Sequence, residues 1–166
     1  MKAPWRKAEG PDDADSFRLR ALTWDDLQAV LGLERELFPD DSWTPEMFRE
    51  ELRQPAGTRL YLAAEDGRGR LIGYAGMLFS PDSTADVLTI AVRPDSWGRG
   101  VGSALLGALT SEAERRGNSA VVLEVREDNP RARTLYLNRG FVEIGVRRGY
   151  YQPSGTDAIV MRKELR

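Results

Sequence analysis

The chain has 166 residues, with 24 lysines and arginines against 26 aspartates and glutamates, and it contains neither cysteine nor histidine. The absence of these two residue types excludes a disulfide framework, a cysteine nucleophile, a catalytic triad that uses histidine, and a zinc site built from thiolate or imidazole. Chemistry in this protein must therefore depend on carboxylates, hydroxyls, phenols, backbone amides or a bound cofactor.

The chain divides into a polar tail and one domain. Residues 1–16 are rich in acidic residues, proline and glycine and have no apolar period, which predicts a disordered tail. Residues 17–166 have the length of one domain. A secretory signal and a run of about 18 apolar residues are both absent from the sequence, so we expect a cytoplasmic protein without membrane contact. The net charge of −2 shows that basic residues are not in excess, and we therefore expect no direct binding to nucleic acid.

The first half of the chain reads as strands with two early helices. The pattern predicts, in order, a strand at 17–22, a helix that starts at a capping box of Thr23 and Asp26 and ends before Pro39, a helix that starts at Thr44 and Pro45, a hairpin of strands at 59–64 and 70–79, and a strand at 85–92.

The second half alternates helices and strands. It predicts a helix at 102–116, a strand at 119–126, a short helix at 131–139, and strands near 141–148 and 156–163. An antiparallel meander followed by a strand-helix-strand crossover predicts an α/β fold with one mixed sheet and helices packed on it.

A glycine-rich loop joins the strand at 85–92 to the helix that follows. Gly98, Gly100 and Gly102 lie within five positions of one another, so the backbone can turn tightly and direct several N–H groups one way. Together with the unpaired N–H groups of a helix N-terminus, such a loop can bind a phosphate or pyrophosphate. The spacing matches neither the Rossmann motif nor the P-loop. A plain structural role, a tight turn that starts a helix, remains the alternative.

This loop and the strand before it resemble a known family. The run Ile90-Ala91-Val92-Arg93-Pro94, followed by Trp97-Gly98-Arg99-Gly100-Val101-Gly102, is similar to the acetyl-CoA signature Gln/Arg-x-x-Gly-x-Gly/Ala of the GCN5-related N-acetyltransferases. The chain departs from that signature at its first position, where Trp97 stands in place of Gln or Arg and cannot make the side-chain contacts of those residues.

Later motifs resemble the RimI branch of the family, the ribosomal-protein N-terminal alanine acetyltransferases. They are Leu123-Glu124-Val125-Arg126 with Asn129, Ala132, Leu135-Tyr136, Gly140-Phe141, and the stretches 147–151 and 157–161. The resemblance spans roughly residues 17–164. It implies a single-domain fold with a mixed, mostly antiparallel central sheet, a splayed strand pair and flanking helices.

The resemblance also implies acetyl-CoA as the acetyl donor, with no metal. The residues that it assigns to the donor are Ile90, Ala91 and Val92, whose backbone would pair with the pantetheine arm, Gly98, Arg99, Gly100, Val101, Gly102 and Ser103, which would hold the pyrophosphate, and Asn129. Asn129 has an equally weighted alternative as the N-cap of the helix that starts at Pro130, and both roles are compatible.

Two residues match the catalytic positions of the RimI branch, Glu124 as general base and Tyr136 as general acid. Glu124 is the single charge within the strand 120–125, and a carboxylate on an apolar strand is either paired or used. The alternative for Glu124 is an ion pair with an arginine on a neighbouring strand. The alternative for Tyr136 is a ring packed on the sheet with its hydroxyl in water.

We expect acceptor recognition from Asp40 and Asp41 in the loop 38–43, and from Tyr150 and Tyr151 at the hairpin 150–155. The resemblance places both segments beside the amine. Their alternatives are a solvated turn and a strand end.

The favoured hypothesis is an enzyme that acetylates the N-terminal amine of a protein, with a ribosomal protein beginning with alanine as the acceptor. We expect a monomer or a weak homodimer. The alternatives are a small-molecule amine or lysine side chain as the acceptor, a non-catalytic acyl-CoA-binding module, and a nucleotide-phosphate binder.

Overall fold

The computed structural model describes residues 16–81 and 83–166, so the tail predicted for 1–16 lies outside the described residues except for Ser16. The described part forms seven strands and four α-helices. The strands are β1 (Phe17–Ala21), β2 (Arg59–Asp66), β3 (Leu71–Phe79), β4 (Thr84–Val92), β5 (Ala120–Arg126), β6 (Val142–Tyr151) and β7 (Thr156–Glu164). The helices are α1 (Leu27–Leu37), α2 (Pro45–Arg53), α3 (Val101–Arg115) and α4 (Pro130–Asn138). No helix of the described residues is both long enough and apolar enough to cross a membrane.

The helix starts follow from local side-chain chemistry. Thr23 and Asp26 form the predicted capping box, with the Thr23 N–H donating to the Asp26 carboxylate at 2.8 Å, ahead of α1. The Thr44 hydroxyl accepts a hydrogen bond from the Met47 N–H at 3.2 Å and caps α2, with Pro45 at the first helical position.

The strands form one sheet in the order β1-β2-β3-β4-β5-β7-β6. Every neighbouring pair is antiparallel except β4 and β5, which are parallel. The prediction of a mixed, mostly antiparallel sheet is therefore confirmed.

The parallel pair β4 and β5 separates early. The two strands pair at only three positions: Thr84 with Ala120, Ala85 with Val121, and Asp86 with Val122. Just beyond this point the pairing of β4 with β3 shifts by one residue, since Met77 faces Val87 whereas Gly76 faces Thr89, which leaves Leu88 as a bulge. A bulge bends its strand and increases the local twist, so β4 turns away from β5 and the predicted splayed pair forms.

Helices cover both faces of the sheet. The larger apolar cluster packs α3 and Tyr136 of α4 on one face, and a second cluster packs α1 and Phe48 of α2 on the other. Along β5, Leu123 and Val125 point into the larger cluster, so Glu124 between them points to the α1 and α2 face.

Candidate active site

A cavity of about 310 Å³ opens where β4 and β5 separate. Its walls include Tyr136 and Ala132 of α4, from one face of the sheet, and Glu34 and Phe38, from the other. The cavity therefore passes through the gap in the sheet. Two ligands that approach from opposite faces can meet in it.

Glu124 lines this cavity with its side chain 24% exposed. One carboxylate oxygen lies 3.5 Å from Nε of Arg147, a residue of β6 whose side chain is 57% exposed. An ion pair with an arginine is thus present, but this arginine is on β6, one strand beyond the neighbouring β7, and the distance is long. Because it leaves the carboxylate on the cavity wall, the ion pair does not exclude Glu124 from acting on a ligand.

Tyr136 lines the same cavity from α4 and is only 6% exposed. Its ring packs against Phe141, with centroids 5.9 Å apart, so the ring is part of the core. Burial, with a smaller effect of the Tyr151 phenol, raises the pKa of Tyr136 above the usual value of 10.0. The phenol therefore stays protonated over the physiological pH range and is available as a proton donor.

Asn129 both caps a helix and faces the cavity, so its position is compatible with both of its predicted roles. Its side-chain oxygen accepts a hydrogen bond from the Ala132 N–H at 3.1 Å, which starts α4. It also lines the cavity, where its amide group is available to a ligand.

The glycine-rich loop forms the predicted turn into α3. Gly98 and Gly100 both have φ of 81°, a backbone conformation that side chains other than glycine rarely adopt, and Gly100 is the N-cap of α3. At Gly102, an added Cβ would lie 3.2 Å from Cδ2 of Leu135 on α4, so α4 packs closely against the first turn of α3 here. The loop therefore presents bare backbone, as a phosphate site requires.

The strand β4 offers a second feature suited to an extended ligand. Among the described residues, its segment from Val87 to Val92 has no strand partner on the side facing β5. Ile90 in this segment lines the cavity, whereas the buried Ala91 points into the cluster under α1 and α2. The free backbone edge and the glycine loop together fit a ligand with an amide-containing arm and a diphosphate.

The predicted acceptor residues divide into two groups. Asp40, Asp41 and Tyr151 line the cavity, and the Tyr151 ring lies 5.0 Å from the guanidinium of Arg126. Burial, with smaller effects of Tyr150 and Glu124, raises the pKa of Tyr151 to about 12. Tyr150 is 48% exposed and packs on Tyr151 outside the cavity wall, with ring centroids 5.1 Å apart.

Glu34 on α1 is a buried carboxylate of the cavity wall that our sequence reasoning missed. It is 2% exposed, accepts a short hydrogen bond from the Tyr74 hydroxyl, and accepts a hydrogen bond from the Trp43 N–H at 3.4 Å. Burial raises the pKa of Glu34 above its usual range, an effect that these two hydrogen bonds oppose and that the nearby Asp41 reinforces. Spacing could have indicated its burial, because Glu34 lies four positions after Val30 on the same helix face.

The structure brings most of the predicted site residues to one place. Those on the cavity wall are Ile90, Glu124, Asn129, Tyr136, Asp40, Asp41 and Tyr151. Those outside the wall are Ala91, Val92, Tyr150 and the loop residues Gly98, Arg99, Gly100, Val101, Gly102 and Ser103.

The fold and these motifs define an acetyltransferase. The acetyltransferase (GNAT) family model matches residues 19–141, and the chain belongs to this family, which uses acetyl-CoA. The chain is 42% identical over 156 residues to the N-alpha-acetyltransferase RimI of Mycobacterium tuberculosis. This alignment covers 92% of our chain and 95% of the relative. Our chain is also 44% identical over 79 residues to the ribosomal protein bS18-alanine N-acetyltransferase of Escherichia coli. This alignment covers 46% of our chain and 53% of the relative.

A solved structure supports the same assignment. The crystal structure of the ribosomal-protein-S18-alanine N-acetyltransferase from Escherichia coli superposes with a TM-score of 0.78 at 30% identity, covering 90% of this chain and 94% of that one. The predicted fold and the RimI-like character of the sequence are confirmed.

Proposed function

We propose that this protein transfers the acetyl group of acetyl-CoA to the N-terminal α-amino group of a protein, with a ribosomal protein that begins with alanine as the acceptor. The observation that carries the proposal is that Glu124 and Tyr136 line one cavity in the gap between β4 and β5. The relatives named for N-terminal and bS18-alanine acetylation support this acceptor.

The donor would be held by backbone more than by side chains. The free edge of β4 around Ile90 and Val92 would pair with the amide-containing arm, and the loop 98–103 would receive the diphosphate. Asn129 would add its side-chain amide on the cavity wall. Bound there, acetyl-CoA supplies an already activated thioester, so the protein needs no nucleophile of its own.

Glu124 would accept the proton of the acceptor amine. An N-terminal amine with a pKa near 7.8 is about one tenth neutral at pH 7, a cost of roughly 1 kcal/mol, whereas a lysine near 10.4 costs roughly 4.6 kcal/mol. A carboxylate on the cavity wall, acting directly or through one water, is sufficient for the first of these. The chemistry therefore favours an N-terminal amine over a lysine side chain.

Tyr136 would donate a proton to the departing sulfur. Tyr136 and Glu124 line the cavity from opposite faces of the sheet, so the proton donor and the proton acceptor would act on opposite sides of the reacting centre. A backbone N–H on the free edge of β4 would stabilise the negative charge on the carbonyl oxygen.

The acceptor would enter from the α1 and α2 face. Asp40 and Asp41 give this entrance negative charge and Tyr151 gives it an aromatic wall, which suits a basic peptide. The loop that carries these aspartates is anchored by Trp43, whose ring makes edge contacts with Phe48 and Tyr74 at 6.1 and 5.9 Å between centroids.

Thiol release in the presence of acetyl-CoA tests this function. We expect release with a peptide that begins with alanine, and none with the same peptide whose N-terminus is formylated. Release with the formylated peptide would indicate lysine as the acceptor. Release with a polyamine and not with either peptide would indicate a small-molecule acetyltransferase, and binding of acetyl-CoA without release from any amine would indicate a non-catalytic module.

A further inference from the structure

Trp97, the residue that departs from the family signature, is held in a defined position. Its indole N–H donates to the carbonyl oxygen of Val92, the last residue of β4, at 2.9 Å. The ring is 43% exposed, and the guanidinium carbon of Arg131 lies 4.1 Å from its centroid. The ring therefore forms a fixed platform on which one arginine is stacked.

Arg131 differs from the arginines around it. Arg133 pairs with Glu143 and Arg126 with Asp128, at 2.5 and 2.9 Å. Within residues 16–81 and 83–166, no carboxylate lies within 4.0 Å of the Arg131 guanidinium. Its charge is positioned by an aromatic ring and is not neutralised by an acid.

The face of α4 that carries Arg131 is turned toward the glycine loop. Arg131 and Leu135 are four residues apart and share one helix face. Leu135 is the side chain that approaches Gly102 at the start of α3. Trp97, under the guanidinium, is the residue directly before Gly98, so Arg131 lies beside the first turn of the loop.

We propose that Arg131, stacked on Trp97, supplies a side-chain cation for the diphosphate of acetyl-CoA, next to the position where the family signature has Gln or Arg and this chain has Trp97. A guanidinium stacked by its face keeps its N–H edges available for two hydrogen bonds to phosphate oxygens. The inference rests on the donor part of the proposed function and is independent of the acceptor.

Calorimetric titration of the full chain with CoA tests this role. Because a hydrogen bond to a charged group contributes about 1.5 to 3 kcal/mol, Arg131→Met should raise the Kd about tenfold to a hundredfold. The loss should shrink at high salt, since ions screen an exposed charge. Arg133→Met, which removes a paired arginine from the same helix, is the matched control and should leave the Kd unchanged.

Two variants of the platform separate this role from a structural one. Trp97→Phe keeps a ring under Arg131 and should bind CoA nearly as the wild type does. Trp97→Arg combined with Arg131→Met returns the cation to position 97 and should regain most of the affinity. A thermal midpoint recorded for each variant identifies any that fails to fold.

The ligand series decides which phosphate is involved. Arg131→Met should weaken binding of CoA and of dephospho-CoA by the same factor, because both carry the diphosphate. A loss confined to CoA would assign Arg131 to the 3′-phosphate and overturn the proposal, as would an Arg131→Met protein that binds both ligands like the wild type. Because only binding is measured, failure of the acceptor assignment would leave these results unaffected.

Discussion

Glu124 and Tyr136, at the scale of single residues, differ in burial in a way that suits the two roles proposed for them. Glu124 lies on the cavity wall with its side chain 24% exposed, and its ion pair with Arg147 is long, at 3.5 Å, so the carboxylate is accessible to an amine or a water. Tyr136 is 6% exposed, and burial raises its pKa, so it keeps its proton. One group is therefore suited to accept a proton and the other to donate one.

Replacing Glu124 should slow transfer in a pH-dependent way. We expect Glu124→Gln to lower kcat/KM about 100-fold at pH 7, the lower range of general base catalysis. The difference in kcat/KM between the wild type and Glu124→Gln should become smaller above about pH 8, where an N-terminal amine is mostly neutral without a general base. Steady-state rates from pH 6 to 9 measure this, with Glu127→Gln, an exposed carboxylate near the end of the same strand, as the control. A deficit that is constant across pH would contradict a role as base.

Replacing Tyr136 should affect the chemical step and leave donor binding intact. We expect Tyr136→Phe to lower kcat about 100-fold with the Kd of CoA unchanged, because the role proposed for the phenol is to protonate the departing sulfur and not to bind the arm. Tyr150→Phe, which changes an exposed phenol outside the cavity, is the control and should retain its rate. An unaltered kcat for Tyr136→Phe would remove Tyr136 from the mechanism.

At the scale of elements, signals along the chain predicted where most helices and strands begin and end. The capping box of Thr23 and Asp26, the Thr44–Pro45 start and the glycines after α3 and α4 act within a few residues, so the sequence displays them directly. The bulge at Leu88 was not predictable, since it depends on the pairing of two whole strands.

The hydrogen-bond partner of Glu34 was not predictable for a related reason. This partner, Tyr74, is 40 positions away in the chain and meets Glu34 only when α1 packs on β3. In the sequence, the spacing from Val30 indicates that Glu34 is on the buried face of α1, but it does not identify the partner. Motifs identified Glu124, Tyr136 and the glycine loop, but the contact between Trp97 and Arg131 again required the fold.

The capping residue Asp26 at the start of α1 can be tested by its contribution to the free energy of unfolding. Burial acts to raise the pKa of Asp26, but the hydrogen bonds from Arg20 and Thr23 outweigh it and leave the pKa below the usual value of 3.8. The stabilisation is therefore present above pH 3.8 and is lost as the pH falls through the lowered pKa. We expect Asp26→Asn to reduce the free energy of unfolding by about 2 kcal/mol at pH 7.

Urea unfolding at pH 7 and in steps below pH 4 measures this effect. The difference between wild type and Asp26→Asn should shrink as the medium becomes more acidic. The neighbouring Asp25→Asn, which changes an exposed carboxylate, should alter stability little at any pH. A difference for Asp26→Asn that grows in acid would contradict the ion-pair account.

At the scale of the whole molecule, the sheet separates two layers of helices, and the gap between β4 and β5 connects its two faces. The proposed donor-binding features lie toward α3 and α4, the proposed acceptor entrance lies toward α1 and α2, and the gap between β4 and β5 connects them. Both ligands can therefore occupy the protein at once. The lack of cysteine and histidine is compatible with this arrangement, because a thioester and an amine react without an enzyme nucleophile.

Direct transfer has a kinetic signature. We expect initial-rate lines that intersect when both substrates are varied, and no acetyl group on the denatured protein after incubation with radiolabelled acetyl-CoA alone. An acetyl-enzyme that is formed and consumed in turn would give parallel lines and retained label. Either result would contradict transfer within a ternary complex.

The position of the acetyl group on the product tests the central claim most directly. A peptide that begins with alanine and carries an internal lysine is incubated with the protein and acetyl-CoA, and the product is sequenced by tandem mass spectrometry. The account predicts one acetyl group, on the α-nitrogen of the alanine. Acetylation of the lysine with the α-amine left unmodified would contradict it.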